Sequence, residues 1–212
     1  MDGQDGIVRH LLALPIFRAA WVLWLLIALS VGSVALMFER AAFYRKRRLD
    51  VGPVRRDLDL ALTNHDYQAA AKLLERFDTL ETNVVLEGLR HHAEGPEAVE
   101  DRMTGAMAKE KELYDAHLDI LATLASNAPF VGLFGTVLGI IRAFNDLAGN
   151  PHDASTAVMR GVAEALVATA VGLLVAIPSV IAFNLFKRRV RAAMNNAQLL
   201  SRMLLANLKS TP

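Results

Sequence analysis

The sequence predicts an all-α integral membrane protein with three transmembrane helices, its N-terminus outside, and long cytoplasmic extensions of the second and third spans. Three uncharged apolar runs of 20 to 22 residues are each long enough to cross a bilayer, which takes about 20 residues. Charged side chains are concentrated elsewhere, because residues 39–119 hold 30 of the 45 Asp, Glu, Lys and Arg residues. No segment shows the alternation of apolar and polar residues that is typical of strands.

The first predicted span covers residues 19–38 and follows an outside N-terminal segment, residues 1–18. Trp21 and Trp24 stand near its start, where aromatic side chains commonly mark a membrane interface. A cleaved signal peptide is the alternative. Asp2 and Asp5 precede the run, however, and a basic cluster follows it, as in a stop-transfer segment. We therefore expect a retained membrane anchor.

Residues 39–119 are predicted to form a cytoplasmic helical segment. Residues 67–77 have the pattern of a short amphipathic helix, and the adjacent Gly95 and Pro96 mark a boundary. No proline occurs between Pro96 and Pro129, so one long helix is expected to run from about Glu97 into the second span. Residues 187–212, which carry no glycine or proline up to position 210, are expected to continue the third span as an amphipathic cytoplasmic helix.

The second and third spans, residues 120–141 and 165–186, are joined by residues 142–164, an outside connection that includes the start of the third helix. Small residues recur along both spans: Gly132, Gly135, Gly139, Ala168, Gly172 and Ala176. Small side chains let helix backbones approach closely in lipid. Two compatible interpretations stay open: packing of the two spans within one chain, or contact with another subunit.

The basic residues beside the spans predict the orientation. Nine Lys and Arg residues follow the first and third spans, whereas four lie on the opposite side. Because positive charge accumulates on the cytoplasmic side of membrane proteins, residues 39–119 and the C-terminal helix are placed inside and the N-terminus outside.

Three polar side chains in or beside the spans are candidates for a function. Thr136 and Thr169 are the deepest hydroxyls of the second and third spans, although a transmembrane Thr commonly bonds the carbonyl four residues earlier. Glu164 stands at the edge of the third span, and an acid within a membrane is a functional-site hypothesis by default. Helical phasing separates Glu164 from Thr169 by about 140°, so the two need not face the same group.

Several function classes are disfavoured. The chain has no cysteine, and it has no phosphate-binding loop, nucleophile elbow or zinc-binding helix motif. The adjacent His91 and His92 point apart on a helix, so no metal site is expected. A net charge of +1 gives no argument for nucleic acid. We therefore predict no cofactor and no enzymatic activity, with the basic clusters in contact with membrane lipid.

Two motifs resemble a known family. NAPFVGLFGTVLGIIRAF (residues 127–144) and GVAEALVATAVGLLVAIPSVIAFN (residues 161–184) are strongly similar to the paired motifs of the MotA/TolQ/ExbB proton-channel family. The flagellar member has four spans, so a three-span chain resembles the ExbB/TolQ branch. The resemblance covers the second and third spans closely, and the rest of the chain only in length and character.

The resemblance implies a homopentamer in the bacterial inner membrane, with the outer side in the periplasm. The second and third spans would line a central pore that holds the single membrane helices of two copies of an ExbD/TolR-like partner. An Asp of that partner would take up and release the proton. Thr136 and Thr169 would face this Asp, and Glu164 would be the channel carboxylate.

The function implied is that of a proton-channel subunit in a motor complex driven by the proton-motive force, which energises TonB-type outer-membrane transport. A Tol-Pal envelope-maintenance motor or a gliding or secretion motor is the alternative within this class, and a TonB-like or TolA-like protein is a possible further partner. A structural membrane scaffold without an ion pathway is the alternative of another class. A solute transporter is disfavoured, because three spans show no inverted repeat.

Overall fold

A computed structural model describes residues 20–149 and 154–210. The predicted N-terminal segment, residues 1–18, and positions 150–153 of the predicted outside connection lie outside the described residues. All regular elements of the described ranges are helical. They are α1 (Ala20–Lys46), α2 (Val51–Thr63), α3 (Tyr67–Leu74), α4 (Leu80–Arg90), a 3₁₀ turn (His92–Glu94), α5 (Pro96–Asp115), α6 (Leu118–Gly149) and α7 (Ala154–Ser210).

The helical prediction is confirmed for these residues, and three helices are long and apolar enough to cross a membrane. The long extension of the third span is also present, since α7 runs for 57 residues without interruption. The orientation of the termini stays a prediction.

The described chain divides into two compact units, of which the first comprises residues 20–38, 119–149 and 154–183. It contains the apolar parts of α1, α6 and α7. Val22, Leu26 and Leu138 form a buried cluster in it, against which Val131 and Val171 pack. Many of its largest apolar side chains are exposed, and Trp24, Phe130 and Leu174 are among them. An exposed apolar surface of this kind suits lipid or neighbouring protein rather than water.

The second unit comprises residues 39–118 and 184–212. Its short helices begin at polar caps that satisfy free backbone N–H groups. Asp50 and Asp66 accept bonds from the first turns of α2 and α3, and Thr79 and Thr82 form a reciprocal capping box at α4. Pro96 occupies the first turn of α5, where its missing N–H costs nothing.

The end of α7 completes the core of the second unit. Ala197, Leu200 and Leu204 of this helix are fully buried in the unit. Asn207 donates a hydrogen bond to the Leu62 carbonyl (2.8 Å) and accepts one from the Tyr67 hydroxyl (3.0 Å). The apolar stripe predicted for residues 187–210 is therefore the face on which α7 packs within this unit.

The unbroken helix expected from Glu97 into the second span is wrong in one detail. The helix is interrupted between α5 and α6, where Ala116 is extended and His117 is left-handed, with φ 63°. Two side chains of α1 bind the carbonyl groups at this point. Arg40 donates to the Leu113 carbonyl and Tyr44 to the Tyr114 carbonyl. An unbroken helix would pair these carbonyls with the N–H groups of residues 117 and 118.

Candidate functional site

The contact between α6 and α7 in the first unit is built from small residues. A Cβ atom added to Gly132 would lie 2.8 Å from the Ala168 carbonyl oxygen, and one on Gly172 would lie 2.7 Å from that of Ala128. These are backbone atoms, which cannot turn aside as a flexible side chain can. Only glycine therefore permits the observed approach at these two positions.

The same contact extends along both helices. A Cβ atom on Gly139 would come within 2.6 Å of the Ala165 Cβ atom, and one on Gly135 within 2.8 Å of the Ala168 Cβ atom. Ala176 is buried in a cluster with Ala128 and Val175. All six small residues selected from the sequence thus lie where α6 and α7 approach one another within one chain. Contact of the same residues with another subunit stays a prediction.

Thr136 lies inside this contact, with only 8% of its surface exposed. Its Oγ1 atom is 3.3 Å from the Gly132 carbonyl, four residues earlier, and 3.1 Å from the Ala165 carbonyl of α7. It also shares a hydrogen bond with the hydroxyl of Thr169, in which either atom can be the donor. The two hydroxyls selected from the sequence are therefore direct partners across the helix contact.

Thr169 is less buried than Thr136 and has no further hydrogen bond within the described part of the chain. A hydroxyl has one hydrogen to donate and two lone pairs to accept with. Thr169 uses only one of these capacities on Thr136, so it retains at least one for a group outside this chain. The pair can orient a hydrogen bond toward a group outside the chain. A hydroxyl of ordinary acidity does not itself release a proton at neutral pH.

Glu164 is on the same helix as Thr169 but not in the same environment. Its side chain is exposed in the single chain, and it makes no hydrogen bond or ion pair with any described residue. The structure therefore brings Thr136 and Thr169 together and does not join Glu164 to them. This agrees with the angular separation expected from helical phasing.

Three further residues of the first unit, Ala143, Gly161 and Ser179, were not predicted from the sequence. Gly161 meets Ala143 at one end of the same contact, where an added Cβ atom would lie 2.6 Å from the Ala143 Cβ atom. The spacing of small residues in α7, which recur at steps of three and four, could have included it. Ser179 is fully buried, and its hydroxyl donates a hydrogen bond to the Val175 carbonyl at 2.7 Å. Such a local bond is typical of a hydroxyl in a spanning helix.

No group of three or more His, Cys, Asp or Glu side chains that could hold a metal is found within the described ranges. The residues of the site are hydroxyls, carbonyls and small apolar groups. An arrangement of this kind can orient a hydrogen-bonding group in an apolar environment.

The sequence is similar to known proteins over the region that contains this contact. The sequence model of the MotA/TolQ/ExbB proton channel family matches residues 76–198, more than half of the chain. The chain is 34% identical to the biopolymer transport protein ExbB of Salmonella typhimurium over 178 residues, 78% of this chain and 71% of that protein. It is 32% identical to ExbB of Pseudomonas putida over 174 residues, 80% of this chain and 50% of that protein.

A shorter match has higher identity. The chain is 48% identical to the Tol-Pal system protein TolQ of Pseudomonas aeruginosa over 93 residues, which are 44% of this chain and 40% of that protein. The chain thus spans about two fifths of the length of this relative. The match to the family over residues 76–198 includes the α6–α7 contact and both of its hydroxyls, and the chain belongs to the MotA/TolQ/ExbB proton channel family, in its ExbB/TolQ branch.

Proposed function

We propose that this chain is the proton-channel subunit of a bacterial inner-membrane motor complex that is driven by the proton-motive force and energises TonB-type outer-membrane transport. The observation that carries the proposal is the hydrogen-bonded pair of Thr136 and Thr169 inside an otherwise apolar helix contact. In the proposed orientation, residues 1–18 and 142–164 lie in the periplasm, and residues 39–119 and 187–212 lie in the cytoplasm.

The hydroxyl pair supports two hydrogen-bond arrangements. In the first, Thr136 donates to the Ala165 carbonyl, at 3.1 Å, and accepts from Thr169, which then offers only lone pairs outward. In the second, Thr136 donates to Thr169, whose own hydrogen is free to point outward. The first arrangement suits a protonated carboxyl group, which donates, and the second suits a carboxylate, which only accepts.

A carboxyl group must come from another chain, because no Asp or Glu lies in the middle of the apolar runs. We propose that it is an Asp on the single membrane helix of an ExbD/TolR-like partner. Two copies of this partner would stand in a pore formed by the second and third spans of a homopentamer. Glu164, exposed on α7, would be the carboxylate near the periplasmic entrance of this pathway.

The free energy available is large enough to bias such a switch. A proton that crosses 100 mV releases about 2.3 kcal/mol, which is comparable to a hydrogen bond to a charged group, about 1.5–3 kcal/mol. The mismatch between five subunits and two partner helices would keep the two Asp residues in different protonation states, so each transfer would favour a step of rotation. A TonB-like or TolA-like protein would receive this motion.

Two observations bear on the pathway that is energised. The ExbB relatives align with 78% and 80% of this chain, whereas the TolQ relative aligns with 44% at higher identity. Relatives from both systems match this chain, so a Tol-Pal motor is the second candidate beside the proposed TonB-type transport. A gliding or secretion motor is the remaining alternative in this class.

The experiment is co-expression of the chain with its genomic neighbours, followed by purification and native mass spectrometry. We expect five copies of this chain with two copies of a single-span protein that carries a membrane Asp. The neighbouring genes name the pathway, since a TonB-like protein or a Pal-type lipoprotein would stand beside them. A stable oligomer that recruits no such partner would instead favour the structural scaffold.

A further inference from the structure

The hydroxyl pair lies beside a point where three helices of the first unit meet. Gly135 of α6 directly precedes Thr136, and a Cβ atom added to this glycine would lie 3.0 Å from the Val22 Cγ1 atom of α1. The same added atom would lie 2.8 Å from the Cβ atom of Ala168, which directly precedes Thr169 in α7. The backbone of α6 is therefore in contact with both α1 and α7 at the residue before the pair.

Val22 is completely buried at this point. It belongs to the buried cluster of α1 and α6 residues described above, and Val171 of α7 packs against that cluster. The neighbouring Trp21 makes an edge-on contact with Phe134, with 6.4 Å between the ring centroids. α1 thus packs closely against α6 beside the hydroxyl pair, although the pair has no hydrogen-bond partner on α1 among the described residues.

This packing restrains the position of α6 relative to α7. The Val22 side chain fills space next to Gly135, and a chain without its methyl groups would have a cavity there. Neighbouring structure shifts to reduce such a cavity, although only in part. Gly135 has no side chain that can turn into the space, so at this position the relaxation comes from the backbone of α6, which carries Thr136 with it.

A small shift is sufficient to change the hydroxyl pair. An O–H···O bond is commonly about 2.7–2.8 Å long and no longer exists at about 3.6 Å, so a displacement of about 1 Å separates the two hydroxyls. Thr136 would keep the carbonyls of Gly132 and Ala165 as acceptors, at 3.3 and 3.1 Å. Thr169 would lose the partner that orients its hydroxyl.

We propose that Val22 is a positioning residue for the hydroxyl pair. Its contact with Gly135 sets the distance between the Thr136 and Thr169 hydroxyls, and thereby the orientation in which Thr169 meets a carboxyl group from another chain. The link to proton transfer rests on the proposed function, whereas the spacing of the two hydroxyls does not. α1 acts on the pair through packing alone.

The spacing is measured first, without reference to proton transfer. Because the chain has no cysteine, Thr136→Cys/Thr169→Cys introduces a single pair of thiols into the full chain, purified as its native oligomer. The rate of disulfide formation within one chain, under a mild oxidant, reports how closely the two side chains approach. We expect Val22→Ala to slow this rate about tenfold, as for a displacement of about 1 Å at a reacting group.

Three further variants control the comparison. Val31→Ala is the matched control, because Val31 is on the same helix with 67% of its surface exposed, and the rate should not change. Val22→Thr keeps the shape of the side chain, and its hydroxyl can bond a carbonyl of its own helix, so the rate should be restored. Val22→Leu retains an apolar side chain without branching at Cβ, and it should slow the rate even if Val22→Ala does not assemble.

Proton uptake is then measured with the natural hydroxyls in place. In partner-containing liposomes, Val22→Ala should lower uptake about tenfold, whereas Val22→Thr and Val31→Ala should not. Equal disulfide rates in Val22→Ala and Val31→Ala would overturn the proposal, even with a lower unfolding midpoint, because Val22 would then serve stability alone. A slower rate in Val22→Ala together with unimpaired uptake in Thr169→Val would support the positioning of the pair and contradict the proposed function.

Discussion

Thr136 of α6 and Thr169 of α7 are joined hydroxyl to hydroxyl within the contact that these two helices make through glycine. The Gly132 and Ala165 carbonyls also lie within hydrogen-bond distance of the Thr136 hydroxyl, which has one hydrogen to donate. Among the described residues, Thr169 has a side-chain hydrogen bond with Thr136 alone. Thr136 therefore has several partners within the chain, whereas Thr169 keeps hydrogen-bonding capacity for a group outside it.

This asymmetry predicts different effects of substitution at the two positions. Thr169→Val keeps the shape of the side chain and removes its hydroxyl, so we expect proton uptake by the partner-containing complex in liposomes to fall to the background rate. Thr169→Ser retains the hydroxyl and should preserve most of the uptake. Uptake that is unimpaired in Thr169→Val would contradict the proposed pathway.

Thr136→Val should affect both uptake and stability. It leaves Thr169 without its partner and removes the side-chain donor of the Ala165 carbonyl, which keeps the helical N–H of Thr169, so we expect a cost of about 0.5–1.5 kcal/mol. Thermal unfolding of the complex in detergent measures the stability, and the same sample reconstituted in liposomes measures uptake. A scaffold without an ion pathway predicts instead that Thr136→Val and Glu164→Gln change stability alone.

Gly132→Ala tests the close approach of α6 and α7. The added methyl group would lie 2.8 Å from the Ala168 carbonyl oxygen, so the helices must move apart, at a cost of about 1–3 kcal/mol. Gly32→Ala in α1 is the matched control, because its methyl group meets nothing within 4 Å. We expect a lower unfolding midpoint for Gly132→Ala and an equal or higher one for Gly32→Ala. Equal midpoints would show that the contact tolerates a methyl group.

Glu81 makes stability depend on pH in the acidic to neutral range. Burial raises the pKa of its carboxyl group above the ordinary value of 4.5. Hydrogen bonds from its own backbone, Thr79 and Asn196 lower the pKa, but the effect of burial is larger. The folded chain therefore holds this proton more tightly than the unfolded chain does, and its stability falls as the pH rises through the folded pKa. Glu81→Gln should raise the unfolding midpoint above that of the unaltered chain at neutral pH, and the two midpoints should become equal near pH 4. A difference between the midpoints that does not change with pH would contradict the raised pKa of Glu81.

Tyr44 and Tyr114 predict a second pH dependence, in the alkaline range. Burial raises the pKa of both phenols from 10.0 to about 12. The unfolded chain ionises first, so the stabilising contribution is complete below pH 10 and is lost as the pH rises toward 12. Titration followed by phenolate absorbance should show two late-ionising tyrosines in the folded chain. Tyr44→Phe should remove one of them and, by freeing the Tyr114 carbonyl, cost about 1 kcal/mol.

The spans, the small-residue contact and both hydroxyls could be identified from the sequence because each has a local pattern. Apolar length identifies a spanning helix, and glycine spacing identifies a close helix face. The bond between Thr136 and Thr169 could not be derived in this way. The two residues stand 33 positions apart, and their bond depends on how α6 and α7 are rotated relative to each other. A cleft that Glu81 lines in the second unit has no local pattern, because its side chains come from four separate segments of the chain.

The interruption at Ala116 and His117 has the same origin. Neither Ala nor His is a residue type that breaks helices. The side chains that bond the Leu113 and Tyr114 carbonyls stand 73 and 70 positions earlier in the chain. The local sequence predicts a single helix over this stretch because no proline or glycine stands at the interruption. Arg40 and Tyr44 stabilise the interruption through bonds to these carbonyls, and such bonds form only in the folded unit.

The carbonyls of Leu113 and Tyr114 therefore have two possible sets of donors: the side chains of Arg40 and Tyr44, or the N–H groups of residues 117 and 118. A peptide that covers residues 96–141 without α1 has only the second set, and it should form one continuous helix. The interruption between α5 and α6 thus depends on the presence of α1. The local sequence alone favours a continuous helix.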